Sequence, residues 1–169
     1  MTEDSASKEK RELPAHIHEM TRPEIDQFLC CAPVGRLAMI ARGRPYVIPV
    51  GFVWWEGRIG IHMCAQPGLK IEAMGASPEV CFEVDESLSD VSLAKSVIIM
   101  GRAEMVDDKK RMAPYLQKLI DKYRVPMPLG EYGIKKGRDL KKELGRVRIC
   151  EITPQEISGR SCVRTNSNF

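Results

Sequence analysis

Between Val34 and Val84, apolar and polar residues alternate in short runs separated by turn residues, the period-2 pattern of half-buried strands. Arg36 to Ala41 is one such run, and Arg42-Gly43-Arg44-Pro45 is a turn leading into a second, Tyr46 to Trp55, so the two predict a hairpin. Glu56-Gly57 leads into a third, Arg58 to Cys64, and Glu79 to Asp85 forms a fourth. Ser96 to Val106, rich in β-branched residues, is a fifth, with Gly101 marking a bulge or a close approach. Arg146 to Ile152 alternates as a closing sixth.

Three segments follow the helical period instead. Thr21-Arg22-Pro23-Glu24 has the spacing of a capping box, and Ile25, Phe28, Leu29 and Ala32 form one apolar stripe that ends near Pro33. Leu69 to Ala76 predicts a short helix with Ile71 and Met74 inward. Met112, Leu116, Leu119, Ile120 and Tyr123 outline an amphipathic helix that Asp107-Asp108 can cap. Pro114 within it costs about 3 kcal/mol unless the helix starts late or bends there. Residues 138–144 have the pattern of a further helical turn. Short strands with tight turns and few helices describe a mainly β chain with flanking helices. They favour a closed antiparallel barrel over a doubly wound sheet.

At 169 residues the chain is expected to form a single domain over 20–158. A polar arm over 1–19 and a loose tail over 159–169 flank it, neither showing apolar periodicity. No apolar run approaches the roughly 20 residues of a membrane span, and the polar N-terminus lacks a secretory pattern, so the expected compartment is the cytoplasm. The six cysteines (30, 31, 64, 81, 150 and 162) are then expected to be reduced, most of them as small core residues. They include no C-x-x-C pair. His62 and Cys64 share a strand face but lack further nearby ligands, so no metal site is expected.

The net charge of +3 is too small to point to nucleic acid. The basic run over 135–148 has no interleaved aromatics for base stacking, and attraction of an anionic small molecule suits it better. Trp54 and Trp55 must point to opposite faces of their strand, so they cannot line one pocket together.

The stretch His62-Met63-Cys64-Ala65-Gln66-Pro67-Gly68-Leu69-Lys70 runs from a strand end through a turn into a helix start. Unpaired backbone N–H groups, the helix dipole and the Lys70 ammonium would together make a cradle for phosphate. Around it stand Val34-Gly35-Arg36-Leu37-Ala38, Pro45-Tyr46-Val47-Ile48-Pro49-Val50, Val80-Cys81-Phe82, and Ser96-Val97 with Gly101-Arg102-Ala103. In this order and spacing, from Thr21 to Tyr123, these segments resemble the pyridoxamine phosphate oxidase-like FMN-binding split-barrel flavoproteins, most closely the nitroimidazole-resistance branch.

That resemblance implies a six-stranded antiparallel split β-barrel, a homodimer, and FMN in two clefts at the interface. Pro49, Val50 and Gly51 would line the flavin ring through backbone groups. His62, Met63, Cys64, Gly68 and Lys70 would surround the ribityl phosphate, and Ser96 and Val97 would lie near the same cleft, from the same chain or from the partner subunit. Cys64-Ala65 and Pro67 depart from the small polar and basic residues common in close relatives, which implies a weaker phosphate site or a different ligand.

Two function classes follow. One is an FMN-dependent oxidoreductase that passes electrons from a nicotinamide or similar donor to a small organic acceptor, nitroaromatic or quinone-like. The flavin would carry the chemistry there, and His62 is the one candidate proton donor. The other is a non-catalytic module holding flavin or haem, with His16, His18 or His62 as an axial ligand. Apart from these two stands a basic interaction domain without a small ligand, which predicts salt-dependent binding.

Overall fold

The computed structural model describes residues 17–64, 68–89, 92–124 and 147–163. The chain order is β1 (Ile17–Glu19), α1 (Arg22–Cys31), β2 (Gly35–Ala41), β3 (Arg44–Val50), β4 (Phe52–Trp55), β5 (Arg58–Cys64), α2 (Leu69–Ala76), β6 (Glu79–Ser87), β7 (Leu93–Val106), α3 (Lys109–Lys122) and β8 (Val147–Val163). All strand pairs are antiparallel, in the order β3-β2-β6-β7-β8-β5-β4, with β1 added against β8.

The two ends of this path, β3 and β4, are consecutive pieces of the run read in the sequence as one strand, Tyr46 to Trp55. They part at Gly51, β3 pairing with β2 and β4 with β5. This bend brings the two edges of the sheet toward each other without joining them by hydrogen bonds. The six runs of the sequence reading thus form the wall of a split barrel, and division of the second run together with the addition of β1 gives eight strands.

Two further differences concern strand length. Ile17–Glu19 belongs to the sheet, in register with Cys162, Ser161 and Arg160. The closing strand continues past Ile152 to Val163, so the tail expected from residue 159 is strand in its first five residues. Residues 153–163 contain Thr, Pro, Gln, Ser and Gly without clean alternation, and their strand state comes from pairing with β7 along its whole length. The bulge expected near Gly101 is present: the register steps between Met100 and Gly101, leaving Gln155 as the extra residue on β8.

Alternate residues of the wall fill the interior. Leu37 and Met39, Phe52, Ile59, Ile61 and Met63, Phe82 and Val84, Val97 and Ile99, and Cys150 and Ile152 form one core with Ile25, Phe28 and Leu29 of α1 and Ala73 and Met74 of α2. Helix α1 begins as the spacing predicts, with Glu24 accepting from the Thr21 N–H at 2.7 Å and hydroxyl at 2.8 Å. In α2 the inward pair is Ala73 and Met74, while Ile71 is half-buried.

Helix α3 covers the outside of the wall, where Met112, Tyr115, Leu116 and Leu119 pack on Val53, Val106 and Ile149. It starts at Lys109, with the Asp108 carboxylate accepting from the Lys110 N–H, and runs through Pro114. The ring has no N–H for the Lys110 carbonyl, and burial of the apolar stripe offsets that loss. Trp54 and Trp55 do point to opposite faces: Trp54 packs on the inner core and donates to Asp26, and Trp55 meets the Tyr115 ring edge-on under α3.

Only Cys150 among the cysteines is fully buried. Cys30, Cys31 and Cys64 are exposed and Cys81 and Cys162 half-buried, which corrects the expectation that most are core residues. Cys30 and Cys31 lie off the α1 stripe, and Cys64 falls on the outer face of β5. No helix among the described residues is long and apolar enough to cross a membrane. Residues 138–144 and most of the basic run 135–148 lie outside the described residues; Arg148 itself pairs with Asp107.

Candidate functional site

The segment 62–70 and the segment 49–51 are brought together by strand register. The β4–β5 ladder ends at Phe52 and Ile61, so Gly51 and His62 are the next residues on either side where the two strands separate. His62 lies on the outer face of β5, opposite to the buried Ile61 and Met63. Pro49 is exposed on the outer face of β3, and Val50 turns inward onto the core.

The bend at Gly51 is fastened by Tyr123, the residue that ends α3. Its hydroxyl accepts from the Phe52 N–H at 2.7 Å and donates to the Pro33 carbonyl, also at 2.7 Å. A side chain at Gly51 would begin 3.1 Å from that hydroxyl. Beside it, Lys122 lies 4.1 Å from the Phe52 ring centre and 3.5 Å from the Leu29 carbonyl, and burial holds its ammonium below the usual range. The sequence marks Tyr123 only as one member of an apolar stripe. Its role at the bend depends on contacts with residues far away in the chain, and no local signal carries that.

His62 is exposed at the ring surface, yet the protein around it and the nearby Lys70 ammonium lower its pKa from the ordinary value. Both effects favour the neutral imidazole, which can donate through one nitrogen and accept through the other. Beyond it, Gly68 caps α2 and its carbonyl accepts from the Ile71 and Glu72 N–H groups at 2.9 and 3.0 Å. The Leu69 and Lys70 N–H groups of this first turn have no intrahelical acceptor. Among the described residues nothing lies within 4 Å of where a Gly68 side chain would begin. Two first-turn amides without an intrahelical acceptor, a helix N-terminus and one ammonium fit a phosphate, and the backbone at Pro49 and Gly51 offers a flat neighbour for a ring.

Other expected site residues stand differently. The Met63 side chain is fully buried in the core and could contribute only backbone, whereas Cys64 is exposed on the His62 face. Val97 is also fully buried. Ser96 pairs with Asp85 and Arg160, toward the opposite end of β8 from Ile149, the partner of His62. Within one chain, Ser96 and Val97 therefore do not join this site. His18 pairs with Ser161 at that far end too, so His18 and His62 cannot ligate one iron within a chain.

Comparison with known proteins adds the lineage. The family model for pyridoxamine 5'-phosphate oxidase matches residues 21–161. No curated protein matches the chain at a significant level. Among solved structures, an FAD-binding protein from Mesorhizobium loti aligns with a TM-score of 0.65 at 24% identity, covering 88% of this chain and 98% of its own. A protein assigned to 5-nitroimidazole antibiotic resistance in Bacteroides thetaiotaomicron aligns at 0.70 and 15% identity, covering 86% and 87%. An FAD and haem binding protein from Mycobacterium smegmatis aligns at 0.65 and 15% identity, covering 87% and 73%. At these identities the likeness is one of fold.

Proposed function

The chain belongs to the pyridoxamine 5'-phosphate oxidase family, and from that premise we propose that it is a flavoprotein that binds FMN beside Gly51 and His62. We further propose that it acts as a homodimeric oxidoreductase on a small organic acceptor, with a nicotinamide or similar donor. The observation that carries this reading is the end of the β4–β5 ladder at Phe52 and Ile61, which leaves Gly51 and His62 beside each other in the chain path, with the first turn of α2 following His62.

In this reading the Leu69 and Lys70 amides and the Lys70 ammonium hold the phosphate, and the backbone of Pro49 and Gly51 faces the ring. Tyr123 keeps that backbone in place. A bound flavin would supply the electron-transfer chemistry. His62, neutral near pH 7, is placed to hold a proton at the edge of the site.

The homodimer is supported by an apolar face that borders the site. Ile40 of β2 (52% exposed), Val47 of β3 (55%), and Ile98 and Met100 of β7 (42% and 48%) all point outward. Ala38 and Cys81 bridge them, because register aligns Val47, Ala38, Cys81 and Met100 in one row. Pro49 lies on the same outer face of β3, so a second copy seated here would form one wall of the flavin cleft. Apolar faces left bare on a sheet are characteristic of protein interfaces.

The test is the visible spectrum of the purified protein before and after adding FMN. Flavin bands and one FMN per chain are expected, with Lys70→Ala weakening FMN about tenfold and leaving riboflavin, which lacks the phosphate, unaffected. A Soret band, or no uptake of FMN, would overturn the assignment.

A further inference from the structure

Sulfur-bearing side chains are gathered on the inner side of the wall where β5, β8 and β7 run side by side. Cys150 of β8 is the centre of the group. Register places Met105 of β7 directly opposite it on one side and Ile61 of β5 on the other, with Met63 two residues further along the same inner face of β5. Directly opposed residues of an antiparallel pair have Cβ atoms about 5 Å apart and diagonal neighbours about 7 to 8 Å, distances that long side chains span. From α2, Met74 reaches the same cysteine: the Cys150 thiol donates to the Met74 sulfur at 3.6 Å. Cys150 and Met63 are fully enclosed, Met74 nearly so, and Met105 is half-buried. Cysteine and histidine spacing does not reveal this group, because its other members are methionines and each of the four stands on a different element.

Apolar volume alone does not call for sulfur here, since Ile61 and Ile152 fill neighbouring inner positions. What sulfur adds is donor chemistry. Thiolate and thioether are soft, polarisable ligands, and the combination selects copper(I) among the first-row metals. The Cys150 and Met74 sulfurs are already in contact, so both can hold one ion with only side-chain torsions adjusting, of which methionine has three. Charge selects the same ion. The core around these sulfurs is made of apolar residues, where an uncompensated charge is costly. One thiolate cancels one monovalent ion, whereas a divalent ion such as zinc would keep a net positive charge inside the barrel.

We propose that Cys150, Met74 and Met105 form a binding site for one soft monovalent metal ion, copper(I), with Met63 as a further sulfur on its flank. On binding, the Cys150 S–H bond breaks, a sulfur–metal bond forms and the proton leaves to solvent; no electron is transferred. Met74 belongs to a helix of only eight residues, and the ion enters past this helix rather than through the hydrogen-bonded sheet. The site lies behind the wall from His62 and does not depend on the flavin reading.

The full chain, with its methionine methyl groups isotopically labelled, would be titrated anaerobically with copper(I) supplied as its bicinchoninate complex, and separately with zinc(II). Cys30, Cys31 and Cys64 are exposed thiols that also take up copper(I), so all three are first replaced by serine. In that background one equivalent of copper(I) is expected to shift the Met74 and Met105 methyl resonances and to raise the thermal midpoint, and zinc(II) is not. Met74→Leu, a swap that cores tolerate, should weaken copper(I) against bicinchoninate by at least about tenfold, and Cys150→Ala should abolish binding. Copper(I) uptake lost with the three serines, uptake that leaves the Met74 methyl unmoved, or an affinity unchanged by Met74→Leu would each overturn the proposal. Zinc(II) shifting the same methyls would overturn the choice of a monovalent ion. FMN uptake is read from the visible spectrum of the unsubstituted chain, so the two readings fail separately.

Discussion

The outside of this barrel is treated in two ways. Over β4, β5, β8 and the last residue of β7 it is roofed by α3, and the residues beneath are as buried as the interior: Ile149 is fully enclosed and Val53 and Val106 nearly so. Over β3, β2, β6 and the earlier part of β7 the wall has no roof among the described residues, and Ile40, Val47, Ile98 and Met100 remain close to half exposed. The strand pattern is the same on both sides; the difference lies in what covers it. The roofed side is specified by shape. Gly60 is the clearest instance, since a side chain there would begin 2.2 Å from the Tyr115 ring. The bare side holds no such fit and keeps its apolar residues for another surface.

Substitutions should separate the two sides, and the largest effect belongs under the roof. Gly60→Val would drive into Tyr115, and a loss of about 3 kcal/mol in chemical denaturation is expected, with α3 lifted from the wall. Next comes Tyr115→Phe, which removes the hydrogen bond to the buried Glu151 carboxylate. Burial and the adjacent carboxylate push the Tyr115 phenol well up, so it stays a donor at any ordinary pH. Its loss should cost about 1 to 3 kcal/mol, and an unchanged denaturation midpoint would mean that Arg111 alone satisfies Glu151.

On the bare side the same treatment should leave the fold nearly untouched. Met100→Asp is expected to change chain stability by no more than about 0.5 kcal/mol, yet to convert a dimer to monomers in sedimentation velocity. A wild-type chain that sediments as a monomer would remove the second copy from this face.

The smallest effect lies at the border between the two sides. Because the folded protein lowers the His62 pKa, the unfolded chain binds the proton first as pH falls, so His62 should make stability decline as pH drops below about 6.5. His62→Gln should flatten that part of the thermal-midpoint profile.

Much of this architecture is readable from residue patterns, because strands with one buried face alternate and turns carry their own residue chemistry. The capping box at Thr21 and Glu24, the Asp108 cap and the Gly101 bulge are local signals and appear where the spacing places them. What could not be read depends on partners distant in the chain. Residues 153–163 are strand because β7 lies alongside them, and Gly60 and Gly51 are small because Tyr115 and Tyr123 arrive from α3. The separation of β4 and β5 at Gly51 and His62 likewise needs the β4–β5 register, which follows once the Glu56-Gly57 turn is fixed. The resemblance named the site residues in one dimension and left open that Met63 and Val97 are enclosed in the core.

Strand β8 also sets a schedule for folding. It is the last described strand in the chain, and β1, β5 and β7 all pair with it. Ile59 must therefore wait for Ile152, more than half the chain later, before β5 has its second neighbour. Until β8 arrives, β5 and β7 each present a raw edge to other chains, and barrels dominated by such distant pairings fold in milliseconds to seconds. During synthesis the barrel would stay unfinished until β8 had emerged, which makes this strand the control point for aggregation and for the yield of folded protein.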